Sequence, residues 1–142
     1  MILSILLIAG IFLASGYFHY LAMKTSMDGI NRIPIGHGGK LVLALALMGL
    51  AHVIEAGFYA GGFFFGRELG IGAFKPEDPQ NFMDIYYFSI VNYTSLGLGD
   101  IYPSGHLRLM AGVEALNGFL LISCSASFLF LHIQRGMKTE QG

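Results

Sequence analysis

The sequence predicts an all-α membrane protein with three transmembrane helices, plus a short re-entrant helix and glycine-rich loop between the second and third. Two observations lead there. Of the 142 residues, 54% are hydrophobic and only 12% charged, whereas a soluble domain usually carries about 25% charge. The charges also fall in clumps. They leave three apolar gaps, each longer than the roughly 20 residues that cross a hydrocarbon core about 30 Å thick.

The first gap, residues 1–23, holds no Lys, Arg, Asp or Glu. A cleaved signal peptide is the competing reading, because Ala14-Ser15-Gly16 is small enough to be cut after. Nothing basic precedes the apolar stretch, as a signal's first region requires, so a retained N-terminal transmembrane helix is expected. Residues 24–40 follow as a cytoplasmic linker. The second gap, 41–65, contains only Glu55, and the third, 107–133, contains only Arg108 and Glu114.

Orientation follows from the basic residues. Lys24, Arg32, Lys40, Arg135 and Lys138 lie on one side of the spans, and Arg67, Lys75 and Arg108 on the other. The richer side belongs in the cytoplasm, which leaves the N-terminus and residues 66–106 outside and the C-terminus inside.

The region between spans two and three has a different grammar. Residues 66–81 are polar and turn-rich, with Pro76 and Pro79 breaking any helix. Residues 82–93 are apolar and aromatic, about three helical turns, too short to cross a bilayer. Thr94-Ser95-Leu96-Gly97-Leu98-Gly99-Asp100 then follows, with two glycines that make a poor helix. Irregular backbone at membrane depth is tolerated only where protein buries it or it lines a water-filled path. A short helix and an extended glycine-rich strand between two spans is the layout of a pore loop.

Several classes are disfavoured. A net charge of −1 offers no basic face for nucleic acid. The single cysteine, Cys124, cannot form a disulfide within the chain and says nothing of redox compartment. The Gly-x-Gly at 97–99 is not a dinucleotide fingerprint, because Tyr102 stands at the third glycine and no βαβ unit surrounds it. No span carries a ladder of arginines to sense voltage. About nine residues follow the third span, too few to fold a ligand-binding domain.

Residues 94–100 resemble the potassium-channel selectivity filter, usually Thr-Val-Gly-Tyr-Gly-Asp. The likeness extends to Phe82-Met83-Asp84-Ile85-Tyr86-Tyr87-Phe88-Ser89-Ile90-Val91 as pore helix and to the turn Ile101-Tyr102-Pro103. It continues with Arg108 and Glu114-Ala115-Leu116-Asn117-Gly118 at the start and glycine hinge of an inner helix. Residues 41–142 are thus similar to a potassium-channel pore domain: outer helix 41–65, pore helix 82–93, filter 94–100, inner helix 107–133. Within that superfamily the chain is most similar to small bacterial ion-channel proteins with a two-helix pore and an extra N-terminal span.

The resemblance implies a homotetramer, since one chain carries one pore loop and supplies a quarter of a ring. It implies K+ as the permeant ion, held by filter residues Thr94, Ser95, Leu96, Gly97, Leu98 and Gly99, with the Ser95 hydroxyl completing the innermost cage. Asp100, repeated four times, would concentrate cations at the outer mouth. Glycine at 97 and 99 suits alternate left-handed backbone, which turns successive carbonyls toward the axis. Below the filter, Gly118, Phe119, Ile122, Ala126 and Phe130 are implied as cavity and gate, with Phe130 an apolar constriction at the cytoplasmic end. Contact between neighbouring helices is the plainer reading of each.

Two departures stand out: Leu98 where the family usually has Tyr or Phe, and Ser95 where it usually has Thr. Leucine cannot donate the hydrogen bond that braces a filter, so bracing falls to packing against Tyr93, Tyr86 or Tyr87. A weakly selective cation channel is therefore the alternative to a potassium-selective one. A non-conducting accessory or structural membrane protein is the alternative from another class. A hydrolase using a serine with His52 or His106 is poorly supported, as no Gly-x-Ser-x-Gly is present. No enzyme activity, cofactor or small-molecule substrate is expected; the partners are copies of the chain and lipid, and the location is a bacterial inner membrane.

His52, Glu55 and Glu114 are ionisable residues at membrane depth, which is costly unless they are paired. A buried network locking outer to inner helix is the favoured reading, over a proton-sensitive gate. A metal site built on His52 and Glu55 is weaker still, because two ligands from one helix leave coordination unfilled. His106 and Arg108 read as interface anchors. His19 and His132 carry no assigned role.

Overall fold

The computed structural model describes residues 2–76 and 81–140, with side chains as far as 134. Pro79, one of the two expected helix breakers, and the side chains of Arg135 and Lys138 lie outside that description. Four helices make up almost all of it: α1 (Ile2–Arg32), α2 (His37–Glu68), α3 (Phe82–Tyr93) and α4 (Leu107–Glu140). Three of them are long and apolar enough to cross a membrane: Ile2–Arg32, His37–Glu68 and Leu107–Gln134.

The stretch 24–40, expected as a linker, is mostly helical. Charges at Lys24, Asp28 and Arg32 end the apolar span but not the helix, because Ser26 and Ile30 stay buried against the bundle. The chain leaves helix only at 33–36, where Pro34 lacks an N–H and bars helical geometry at the residue before it. α2 then starts at once.

α1 packs along α2 and α4, so the first span lies against the other long helices of the same chain. Its buried positions are Ser4, Ile8, Ser15, His19, Ser26 and Ile30. These form two series eleven residues apart, a serine series and an Ile/His/Ile series. Eleven residues in three turns, about 3.67 per turn, hold one stripe in register along a long helix. The serines let backbones approach closely. α2 buries Ala44, Glu55 and Gly66 at the same spacing. Gly62 faces the Ile11 side chain and Gly66 that of Leu107, with no room for a β-carbon at either glycine.

α3 nests between α2 and α4. Asn81 caps it: the side-chain oxygen accepts from the amides of Met83 at 2.7 Å and Asp84 at 3.2 Å, while Asp84 accepts from the Asn81 amide at 2.9 Å. This reciprocal box fixes where the helix begins. Beneath it, Phe63, Phe74 and Phe88 pack edge to face with centroids 5.2–5.6 Å apart. Tyr59, Ile85, Leu107 and Met110 complete this core.

A two-residue antiparallel ribbon ties the outer loops together. β1 (Phe74–Lys75) pairs with β2 (Tyr102–Pro103), in the register Phe74 to Pro103. Ser104 extends it, donating its amide to the Ala73 carbonyl at 2.7 Å. The turn after residue 100 is thereby anchored to the loop before α3.

Candidate ion pathway and its buried supports

α3 is capped by Thr94, whose hydroxyl bonds back to the carbonyls of Ile90 and Val91 at 3.1 and 3.0 Å. Beyond it the backbone alternates. Ser95, Gly97 and Gly99 take φ of +60°, +58° and +80°, and Leu96 and Leu98 between them do not take positive φ. A left-handed serine is disfavoured, so a strained residue here marks a site that the surroundings over-determine. The amides of Ser95 and Leu96 fold onto the α3 end, donating to Asn92 and Val91 carbonyls at 2.9 and 3.0 Å. Residues 94–100 are exposed in the single chain. They lie at the C-terminal end of α3, the end where helix dipoles place partial negative charge.

The hydroxyls of the three tyrosines expected to brace this strand go to different partners. Tyr87 lies within hydrogen-bonding reach of Asp100; partial desolvation and that carboxylate raise its phenol above the ordinary value. The Tyr86 hydroxyl donates to the Val53 carbonyl at 2.8 Å, and that of Tyr93 to Glu55 at 2.5 Å. Leu98 is 59% exposed.

On α4 the residues 119, 122, 126 and 130 share one face, turned away from the rest of the chain. Phe119, Ile122, Ala126 and Phe130 are all exposed in the single chain. Gly118 is buried on another side, and the Tyr93 carbonyl occupies the space a β-carbon there would need. The glycine thus has a packing role against the end of α3.

Two buried polar networks stand behind the strand, and the expected trio of His52, Glu55 and Glu114 is split between them. In the outer one, Glu114 accepts from the Ser89 hydroxyl and from the Asn92 amide, the latter at 2.6 Å. Ser89 also bonds the Ala56 carbonyl at 2.6 Å, so α2, α3 and α4 meet there. In the inner one, Glu55 sits between two imidazoles. His19 Nδ1 is 2.9 Å from Oε1, and His52 Nδ1 is 3.1 Å from Oε2. His52 Nδ1 is also 3.0 Å from the Tyr93 oxygen, and its Nε2 is 3.0 Å from Ser125 Oγ. Ser125 Oγ reaches His19 Nε2 at 3.4 Å. A third tie joins the spans: the Asn117 amide donates to Tyr59 at 2.9 Å and Ser15 at 3.1 Å.

His106 and Arg108 are exposed at the start of α4. The network partners that residue-by-residue reading did not assign are His19, Ser125, Ser89 and Asn92, and Tyr93, expected at the filter, has its hydroxyl on Glu55 instead. Polarity inside otherwise apolar spans was the available signal for His19, and its place in the eleven-residue stripe the stronger one.

A family model described as an ion channel matches residues 52–134, from the middle of α2 through the strand to α4. This chain belongs to that ion-channel family. The match covers more than half the sequence and the whole pore-loop region, in accord with the resemblance to potassium-channel pore domains. Among curated proteins and solved structures, none matches the chain. The protein is an integral membrane channel, with passive transport rather than catalysis as its chemistry.

Proposed function

We propose that this ion channel is a potassium-selective homotetramer whose filter is the strand Thr94 to Gly99 and whose outer mouth carries Asp100. The observation that carries this is the left-handed alternation at Ser95, Gly97 and Gly99. Alternating handedness turns successive peptide planes so that carbonyl oxygens share one side, where four strands can replace a cation's hydration shell. Exposure of the strand and of Phe119, Ile122, Ala126 and Phe130 supports a central axis there, with those four α4 residues as cavity and gate, while Gly118, buried against Tyr93, packs behind them. The spans fit an N-terminus outside and a C-terminus in the cytoplasm of a bacterial plasma membrane. The pore domain runs over 41–142, behind an N-terminal helix and a cytoplasmic connection.

A weakly selective cation channel is the second reading. Leu98 favours it, since its side chain offers no hydrogen bond to hold the strand's width. The proposal is tested by K+ flux into liposomes carrying the purified protein, with Gly97→Ala as the comparison. A β-carbon is strained at φ +58°. Flux should vanish in that variant; retained flux would remove the filter assignment, and no flux from the wild type at any pH or voltage would favour a non-conducting relative.

A further inference from the structure

We propose that His19, His52 and Glu55, with Tyr93 beside them, form a buried site for one divalent transition-metal ion of the zinc class. The objection raised by sequence, that two ligands from α2 leave coordination unfilled, is met by α1 and α3. His19 arrives from α1 and the Tyr93 oxygen from α3. The ligand atoms of His19, His52 and Glu55 all lie within 4.8 Å of one another. Ligands about 2.1 Å from a shared tetrahedral ion stand roughly 3.4 Å apart. The two Nδ1 to carboxylate separations, 2.9 and 3.1 Å, open to that with shifts of a few tenths of an ångström.

Hydrogen counting points the same way. With both imidazoles neutral and Glu55 ionised, the cluster has four hydrogens, one each on His19, His52, Tyr93 and Ser125. Its contacts number six: two from Nδ1 atoms toward Glu55, one between His52 Nδ1 and the Tyr93 oxygen, one from Tyr93 to Glu55, and two between Nε2 atoms and Ser125 Oγ. Ser125 has a single hydrogen for two Nε2 acceptors, so one of those two contacts lacks a hydrogen. A cation removes the shortage. Both histidines then carry hydrogen on Nε2 and donate into the two lone pairs of Ser125 Oγ, while both Nδ1 lone pairs and Glu55 turn to the ion. Such outer partners fix the tautomer of metal-bound histidine. Bound as phenolate, Tyr93 releases one proton and leaves the cluster with no net charge. Imidazole and carboxylate donors suit zinc-class ions. Glu55 and His19 are buried and His52 is 19% exposed, so the ion enters at the His52 edge. Bound there, it would clamp α1 to the residue that immediately precedes the strand at 94–100.

The experiment uses chelator-treated full-length protein in detergent, titrated with Co2+ as a visible probe and, separately, heated with Zn2+ or with chelator. The wild type should bind one Co2+ per chain with the absorption of a four- or five-coordinate site, and Zn2+ should raise its unfolding temperature. His19→Gln and Glu55→Gln should weaken binding at least tenfold, Ser125→Ala about tenfold, and exposed His37→Gln not at all. Absence of saturable Co2+ binding by the wild type overturns the proposal, as does equal binding by His19→Gln. The Zn2+ comparison on the wild type needs no variant to fold; no change in its unfolding temperature would also overturn the proposal.

Discussion

The carbonyl oxygen of Tyr93 fills the space that a β-carbon at Gly118 would need. The end of the re-entrant helix and the middle of α4 are therefore in backbone contact, one residue before the strand at 94–100 begins. Gly118→Ala must push that carbonyl, and with it the strand's inner end. Overpacking of this kind costs about 1–3 kcal/mol. Thermal unfolding of the purified variant should fall accordingly, with reduced flux; an unchanged unfolding temperature would show that the contact yields freely.

The Ser89 hydroxyl has one hydrogen and two acceptors, the Ala56 carbonyl and Glu114. An amide at 114 can supply the second hydrogen while its oxygen still accepts from Asn92. Glu114→Gln is thus expected to keep stability within about 1 kcal/mol, whereas Glu114→Ala leaves one hydrogen of the half-buried Asn92 amide without its acceptor and opens a cavity, losing about 1–3 kcal/mol. Denaturation of both variants side by side checks the difference, and equal losses would contradict the assigned network.

Much of the architecture was legible because hydropathy reports the solvent directly: three apolar gaps gave three spans, and Asn81 with Asp84 now explains where the re-entrant helix starts. Helix ends were less legible. Lys24, Asp28 and Arg32 mark the edge of an apolar span, but the backbone bonds of α1 continue until Pro34 interrupts them. The pairing of buried charges was not legible, since His52, Glu55 and Glu114 give no sign in one dimension that Glu114 turns to Ser89 and Asn92. His19 was hidden for the same reason, although Ser4, Ser15 and Ser26 trace the stripe on which it lies.

α1 rests on a close approach, with Ile11 against Gly62. Gly62→Leu should lift that helix from α2 at a cost of about 1–3 kcal/mol. Phe18 and Phe58 lie with ring centroids 5.4 Å apart, so cysteines at both positions, in a Cys124→Ser background and joined by a short bifunctional thiol reagent, report the docking. Cross-linking should be efficient with Gly62 and sharply reduced with leucine. Equal cross-linking would show that α1 is held elsewhere.

Phe130 is 58% exposed in the single chain and shares a face with Phe119, Ile122 and Ala126. If four copies close the cytoplasmic end as an apolar constriction, Phe130→Ala admits water and raises flux several-fold. Flux equal to that of the wild type would assign this side chain to contact between helices.

The central claim is a backbone-carbonyl filter at Ser95 to Gly99, and the reversal potential of the purified protein in a planar bilayer tests it most directly. With potassium on one side and sodium on the other, a potassium filter gives a value close to the potassium limit, and the current disappears in Gly97→Ala. Clear current reversing near zero would contradict potassium selectivity and make this a general cation pore.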